Sequence, residues 1–312
     1  VTRRLLFVHA HPDDESSKGA ATAARYVDDR AEVVLVTCTG GDAGDVLNPK
    51  APPIAREDMR ATRARELQAA VAAIGFTRTH ELGYVDSGYH EDPADVAEGT
   101  FARVPLDEPS RALAAILRRE RPHVVVTYPE NGGYPHPDHI MNHLVTMRGL
   151  ELAEDQHADL GEALGADLLP WRVPKVYATS TFPLERLEAL HTAMMATHGD
   201  SPYTEWLEGR RDRVPHEVPD ARVRCEEQFP RRDAALLAHV SQIDPEGFWF
   251  GVPRELEARH YPYEAYELLR TDVLVQPVED DLFAGLDVAA VDAAHTVAVA
   301  HAADGLRTAR GA

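Results

Sequence analysis

The chain has 312 residues, 44% of them hydrophobic and 27% charged, with a formal net charge of −20; that length can bury one large core or two. The acidic balance and the lack of clustered Lys and Arg argue against nucleic acid as a partner, and no apolar run is long enough to span a bilayer or to serve as a signal peptide. Cys38 and Cys225 are the only cysteines, so there is no disulfide framework, and the expectation is a cytoplasmic protein acting on a small molecule, with no membrane partner and room for a homo-oligomer.

Arg4 to His9 is an apolar run of strand length, followed by an Ala-rich, helix-prone stretch from Gly19 to Val27. Glu32 to Cys38 predicts a second, β-branched strand that buries Cys38 and ends in the turn Thr39-Gly40-Gly41-Asp42. Asp42 to Arg56, with Pro49, Pro52 and Pro53, predicts a loop. Asp58 to Ile74 predicts a helix with Leu67, Val71 and Ile74 on one stripe and Gly75 as its stop. Thr79 to Val85 predicts a third strand. Ser110 to Glu120 predicts a helix with Leu113, Ile116 and Leu117 on one face, and Pro122 to Tyr128 a further buried strand. This β-α-β-α order predicts an α/β fold with a mostly parallel sheet covered on both faces. Right-handed crossovers then bring the strand C-termini to one edge.

After about residue 153 the rhythm changes: prolines, charges and Trp171, Trp206 and Trp249 alternate with short helical stretches such as Pro230 to Val240. The chain accordingly divides into a catalytic core over 1–153, a less regular region over 154–286 that caps the sheet edge and shapes a pocket, and an Ala-rich tail over 287–312 expected to form a weakly packed helix. Cys225, among charged neighbours, reads as a free surface thiol.

Two clusters carry chemistry. Residues 9–15 read His-Ala-His-Pro-Asp-Asp-Glu at the exit of the first strand, and 134–139 read Tyr-Pro-His-Pro-Asp-His at the exit of the 122–128 strand. Open α/β sheets bind ligands at that edge. His11 and Asp14, three residues apart on a first helical turn, can point to one ligand, and His139 heads the next helix. A His₂Asp set with room for water is the pattern of a catalytic metal site. Zn²⁺, one per subunit, is the expected cofactor, with Fe²⁺ in the cell or cobalt accepting the same ligands. Asp13 faces differently from Asp14 and is free to act as general base on water activated by the metal. Acids at a helix N-terminus can also be simple caps.

His136 is the candidate for holding the oxyanion as an imidazolium and later protonating the leaving amine, with Asp138 orienting and charging it. Tyr134, beside Gly132 and Gly133, can donate a second hydrogen bond to the oxyanion, or simply pack in its loop. His9 falls within the strand and reads as a core histidine.

His11-Pro-Asp-Asp-Glu15 with His136-Pro-Asp-His139 resembles the PIG-L/LmbE-like zinc-dependent N-deacetylase superfamily, over about residues 3 to 285. The resemblance implies a Rossmann-like sheet, zinc on His11, Asp14 and His139, Asp13 as base, and the His136/Tyr134 pair around the oxyanion. Several segments are similar to the branch that cleaves mycothiol S-conjugates: Glu15-Ser16-Ser17-Lys18-Gly19, Thr37-Cys38-Thr39-Gly40-Gly41, Val46-Leu47-Asn48-Pro49, Val85-Asp86-Ser87-Gly88, Glu130 to His139, and Glu279-Asp280-Asp281-Leu282-Phe283.

The resemblance also carries sugar-hydroxyl binding onto Arg63 and Asp86. Arg63 lies on the apolar stripe of its helix, where a charge needs a partner: substrate hydroxyls or a local carboxylate. Lys18, one turn after Asp14, can reach a group that a plain sugar deacetylase need not bind, or can be a solvated helix lysine. Pro129 departs from the family pattern, which often has Asp there. His239-Val240-Ser241-Gln242 is similar to a downstream segment that returns toward the site.

The implied function is a zinc amidohydrolase that cleaves mycothiol S-conjugates to an N-acetylcysteine conjugate and glucosaminyl-inositol. The alternatives are the N-acetylglucosaminyl-inositol deacetylase, or a biosynthetic paralogue acting on a thiol-conjugated intermediate. A phosphoesterase would want a second metal and basic residues, and a binding module would not need a base.

Overall fold

The protein is described by a computed structural model over residues 1–161, 168–210, 218–276 and 278–296. Seven strands in the described residues form one sheet in the order β3-β2-β1-β4-β5-β7-β6. They are β1 (Arg4–His9), β2 (Glu32–Thr39), β3 (Arg78–Tyr84), β4 (Val124–Thr127), β5 (Lys175–Ser180), β6 (Ala221–Arg224) and β7 (Tyr263–Thr271). β3, β2, β1, β4 and β5 are parallel, β7 runs antiparallel to β5, and β6 antiparallel to β7. The strands read from the first half of the sequence are therefore present with boundaries shifted by one or two residues. The region after 153 adds three strands to the same sheet.

Near-continuous apolar runs form the central strands because these are covered on both sides. Leu5, Phe7, Val33, Leu35 and Val126 pack on one face against α2 (Ala20–Asp28) and α3 (Met59–Ile74). Leu6, Val8, Val34, Val36 and Val125 face α4 (Asp107–Glu120) and α5 (Pro137–Glu154). The predicted stripes hold: Leu67 and Ile74 are buried on α3, and Leu113, Ile116 and Leu117 on α4. The order reverses between β1 and β4, whose exits carry the two His/Asp motifs. This is the topological switch point, where helices leave opposite faces and a crevice opens.

α1 is a single turn, Asp14–Ser17. In the region after 153, α6 (Leu184–His198), α7 (Thr204–Arg210) and α9 (Arg254–His260) enclose a small core of Leu187, Leu190, Leu207 and Tyr261. Glu257 of α9 binds that region together. Its Oε1 accepts from Arg186 (2.8 Å) and Arg232 (3.0 Å), its Oε2 from Arg232 (2.8 Å) and Arg254 (3.0 Å). The Glu279-to-Phe283 segment is structural. Glu279 takes both a buried bond from Lys175 Nζ (2.7 Å) and one from Tyr177, while Leu282 and Phe283 enter the main core.

Cys225 is corrected. It is 1% exposed, packed with Ala21 and Phe229, not at the surface. β6 alternates inward and outward, so its charged neighbours turn out and Cys225 continues the inward set. The tail is helical over 288–296, where Asp292 accepts from Arg4 (2.5 Å) and His295 rests on Trp171; the rest of the expected tail helix, 297–312, lies outside the described residues.

Candidate active site

Backbone geometry at the end of β1 sets the site. Asp13 adopts φ 102°, a left-handed conformation that costs an ordinary residue about 1–3 kcal/mol. That turn sends Asp13 and Asp14 in different directions and starts α1, where neither acid caps: Asp13 makes no side-chain cap bond. The reading of these acids as simple caps is therefore set aside. Asp14 turns inward, its Oδ2 accepting from the His11 backbone N–H at 2.9 Å.

His11, Asp14 and His139 converge, each offering a ligand atom within 4.8 Å of the others, and all three are buried. Tautomers decide whether a metal fits. His139 donates from Nδ1 to the Gly132 carbonyl (3.1 Å), which leaves its Nε2 lone pair aimed at Asp14 Oδ2, 3.5 Å away, with no hydrogen bond. His11 donates from Nε2 to Asp138 Oδ2 (3.1 Å), leaving Nδ1 3.3 Å from Asp14 Oδ2. Metal-ligating imidazoles show this pattern, one nitrogen held by a carbonyl or carboxylate and the other free. The residues fit a divalent metal.

The surrounding charges act in the same sense. Burial alone would lower the His11 pKa, but the hydrogen bonds to Asp138, Asp14 and Asp86 hold it well above the ordinary imidazole range. Burial would raise Asp14, yet Lys18 and His139 keep it well below the ordinary carboxylate value. This is a site with excess negative charge that wants a cation.

Asp138 does not orient His136, contrary to expectation. Its carboxylate lies near His136, but its hydrogen bonds go to His11 and to the Ser87 N–H (2.9 Å). His136 caps α5 instead, its Nδ1 accepting from the Asp138 backbone N–H at 3.1 Å. The ring is thus a neutral Nε2–H donor. Burial, then His11 and His139, bring its pKa down to about 3, which corrects the expected imidazolium. Tyr134 is half-exposed at the rim, its ring 4.7 Å from His139.

Asp13 lines a cleft of about 910 Å³, and its Oδ2 pairs with Arg63 Nη2 at 3.0 Å. Burial raises the Asp13 pKa and the Arg63 charge pulls it back. Arg63 is 3% exposed and also donates to the Pro12 carbonyl. Gly41, at φ 65°, makes room for it, since a Cβ there would lie 3.0 Å from Arg63 Cζ. Of the two partners open to Arg63, the local carboxylate is present, and it is Asp13. Asp86 sits 3.5 Å from His11 Nε2 and lines the same cleft. Lys18 is not solvated. Its Nζ lies 2.5 Å from Asp14 Oδ1, and the side chain borders a second, smaller cavity with Arg186, Trp249, Tyr261 and Tyr263.

Sequence reasoning assigned no role to Tyr128, Glu15 or His239. Tyr128 stacks on His139 (centroids 4.4 Å, 8°) and accepts the Ala10 N–H at 3.1 Å; an aromatic at a strand exit between two ligand motifs was the available signal. His9 is fully buried beside it, a core histidine as expected. Glu15 and His239 form a buried pair at 2.7 Å.

A family model described as GlcNAc-PI de-N-acetylase (PIG-L) matches residues 6–149. The chain is 44% identical over 292 residues to a mycothiol S-conjugate amidase of Streptomyces coelicolor, covering 91% of this chain and 97% of that one. It is 40% identical over 299 residues to a 1D-myo-inositol 2-acetamido-2-deoxy-alpha-D-glucopyranoside deacetylase of Geodermatophilus obscurus, covering 91% and 98%. Among solved structures, the N,N'-diacetylchitobiose deacetylase of Pyrococcus horikoshii shares the fold, with a TM-score of 0.58 at 17% identity over 86% of this chain and 84% of that one. No helix among the described residues is long and apolar enough to cross a membrane. With the ligand set, the adjacent carboxylate and these relatives in agreement, the chain belongs to the PIG-L family of deacetylases and amidases, hydrolases of amide C–N bonds.

Proposed function

We propose that this protein is a zinc-dependent amidase that cleaves mycothiol S-conjugates into an N-acetylcysteine S-conjugate and glucosaminyl-inositol. The observation that carries the hydrolytic reading is the buried convergence of His11, Asp14 and His139, with the His139 Nε2 lone pair unpartnered, beside the Asp13 carboxylate. His11, Asp14 and His139 hold the metal, which when bound supplies a Lewis acid and makes water acidic enough for a carboxylate to deprotonate.

Asp13 takes the proton from the attacking water. His136 Nε2–H and the Tyr134 hydroxyl donate to the amide oxygen as charge develops on it, in a setting already arranged for that charge. His136 holds only that one ring proton, because its Nδ1 lone pair is engaged by the Asp138 N–H. The leaving amine therefore recovers its proton from Asp13. Arg63 keeps Asp13 ionised between turnovers, while Arg63 and Asp86 supply a donor and an acceptor suited to sugar hydroxyls in the cleft.

The choice of amidase over deacetylase rests on the acyl side. Lys18 Nζ, held 2.5 Å from Asp14 Oδ1, places a cation beside the metal ligands, where an acyl group longer than acetyl can meet it. The relative with 44% identity over 97% of its length supports the same choice. Side-by-side hydrolysis by the zinc-loaded protein tests it, with amine release followed on a mycothiol S-conjugate and on N-acetylglucosaminyl-inositol. A higher kcat/KM on the conjugate, reduced by Lys18→Ala, is expected. Preference for the acetyl sugar makes the protein a deacetylase, and inactivity on both with metal bound points to a conjugated biosynthetic intermediate.

A further inference from the structure

Asp13 holds a positive φ of 102°, which costs any residue with a Cβ even though Asp tolerates it better than most, so contacts in the fold must help maintain it. Arg63 grips the carboxylate, but the backbone is held from the opposite side. The Asp13 N–H donates to Glu15 Oε2 at 2.9 Å, and the other oxygen of Glu15 accepts from Ser16 Oγ at 2.5 Å and from His239 Nε2 at 2.7 Å. Glu15 and His239 are wholly buried, with side chains 0% exposed, and 224 residues separate them in the chain. A buried ion pair is a poor device for stability alone, because desolvation offsets its attraction. It is a good device for fixing one geometry.

His239 is itself immobilised. It follows the last residue of α8 (Phe229–Ala238), and the segment behind it is stitched down. Ser241 gives its N–H and Oγ–H to Glu66 of α3, each at 2.7 Å, and Asn48 Nδ2 donates to the Val240 carbonyl at 2.8 Å. The chain of contacts runs from α3 and the 47–48 loop through His239 and Glu15 to the amide of Asp13. The same helix α3 supplies Arg63 to the Asp13 carboxylate. One helix therefore holds both ends of this residue.

We infer that Glu15 and His239 are positioning residues for Asp13: through its backbone N–H they maintain the left-handed turn that aims its carboxylate into the cleft. The inference rests on the reading of Asp13 as the general base, and the test separates the two. Glu15→Ala, Glu15→Gln and His239→Gln are made in the full chain, each in the wild-type and in the Asp13→Ala background. Zinc content, melting temperature, kcat and KM are measured on whichever of the two amides above is cleaved faster.

Glu15→Ala is expected to lower kcat about 10- to 100-fold, as loss of a supporting contact typically does, with KM and zinc content little changed. Glu15→Gln still offers an oxygen to the Asp13 N–H, and His239→Gln still offers an N–H to Glu15; each should retain more of the rate. In the Asp13→Ala background none of the three should change the residual rate. The crystal structure of Glu15→Ala should show residue 13 out of the left-handed region. Equal losses in both backgrounds, or Asp13 kept near φ 102° without Glu15, would overturn the inference alone. An Asp13→Ala enzyme of undiminished activity would overturn the base reading and the inference with it.

Discussion

Individual side chains in this site are set by partners that are remote in sequence. Arg63 is the clearest case. Its charge counters the burial that raises the Asp13 pKa, so removing it leaves that carboxyl protonated to higher pH. Arg63→Ala should therefore move the acidic limb of the kcat/KM profile upward, and Arg63→Lys should restore part of the shift; a profile with an unmoved limb would detach Arg63 from the base. Asp138 gives a second test. Because it holds the His11 tautomer, Asp138→Asn should weaken zinc binding about 10- to 100-fold, read by competition with a chelator. A fall in rate with undisturbed affinity would return Asp138 to the role first read for it, beside His136. The residue types of the site were legible in the two motifs. Which carboxylate serves which imidazole was not, because that depends on where the first turn of α5 points beneath β1.

Elements matter here through the way they start. α5 begins with His136 as its cap and Pro137 at its first position, a strong start signal, and the loop before it turns at Gly132, φ 74°. A Cβ on Gly132 would lie 2.7 Å from His139 Cβ and 2.9 Å from the Tyr134 carbonyl oxygen. Gly132→Ala should thus cost about 1–3 kcal/mol in backbone strain and displace His139, whose Nδ1 depends on the Gly132 carbonyl. The expected signature is a lower melting temperature together with weaker zinc binding. Loss of stability with zinc affinity intact would show that the loop yields without moving the ligand. Strands β1 to β4 and the helices α3 and α4 were legible from apolar periodicity, and α8 from a short helical stretch. β5, β6 and β7 were not: β6 is only four residues, and β7, though nine residues long, mixes charged with apolar residues and is only partly buried.

At the scale of the molecule, the region after residue 153 holds together around Glu257. Burial would raise this carboxyl, but Arg232 and Arg186 hold it at about 2. A carboxyl depressed from its ordinary 4.5 contributes stability that is present above pH about 4.5 and lost as pH falls toward 2. Glu257→Ala leaves three arginines without their common acceptor and should destabilise by about 3–5 kcal/mol, the usual effect of removing one partner from a buried ion pair. Denaturant unfolding would read the loss, and the acid limb of the wild-type stability curve should flatten in the variant. A change under 1 kcal/mol would mean that neighbouring Asp233 replaces it.

The amino-acid sequence by itself determined four of the parallel strands, the placement of the two His/Asp motifs at strand exits and the metal-ligand candidates, because strand exits and ligand spacing are local properties. Only the tertiary structure decided that Asp138 serves His11, that Cys225 is interior, that Lys18 lies against Asp14, and that His239 reaches Glu15 across 224 residues. The Lys18 contact is local, one turn along the chain; the others join segments far apart in sequence, set by how helices pack on the two faces of the sheet, and no local pattern encodes such packing.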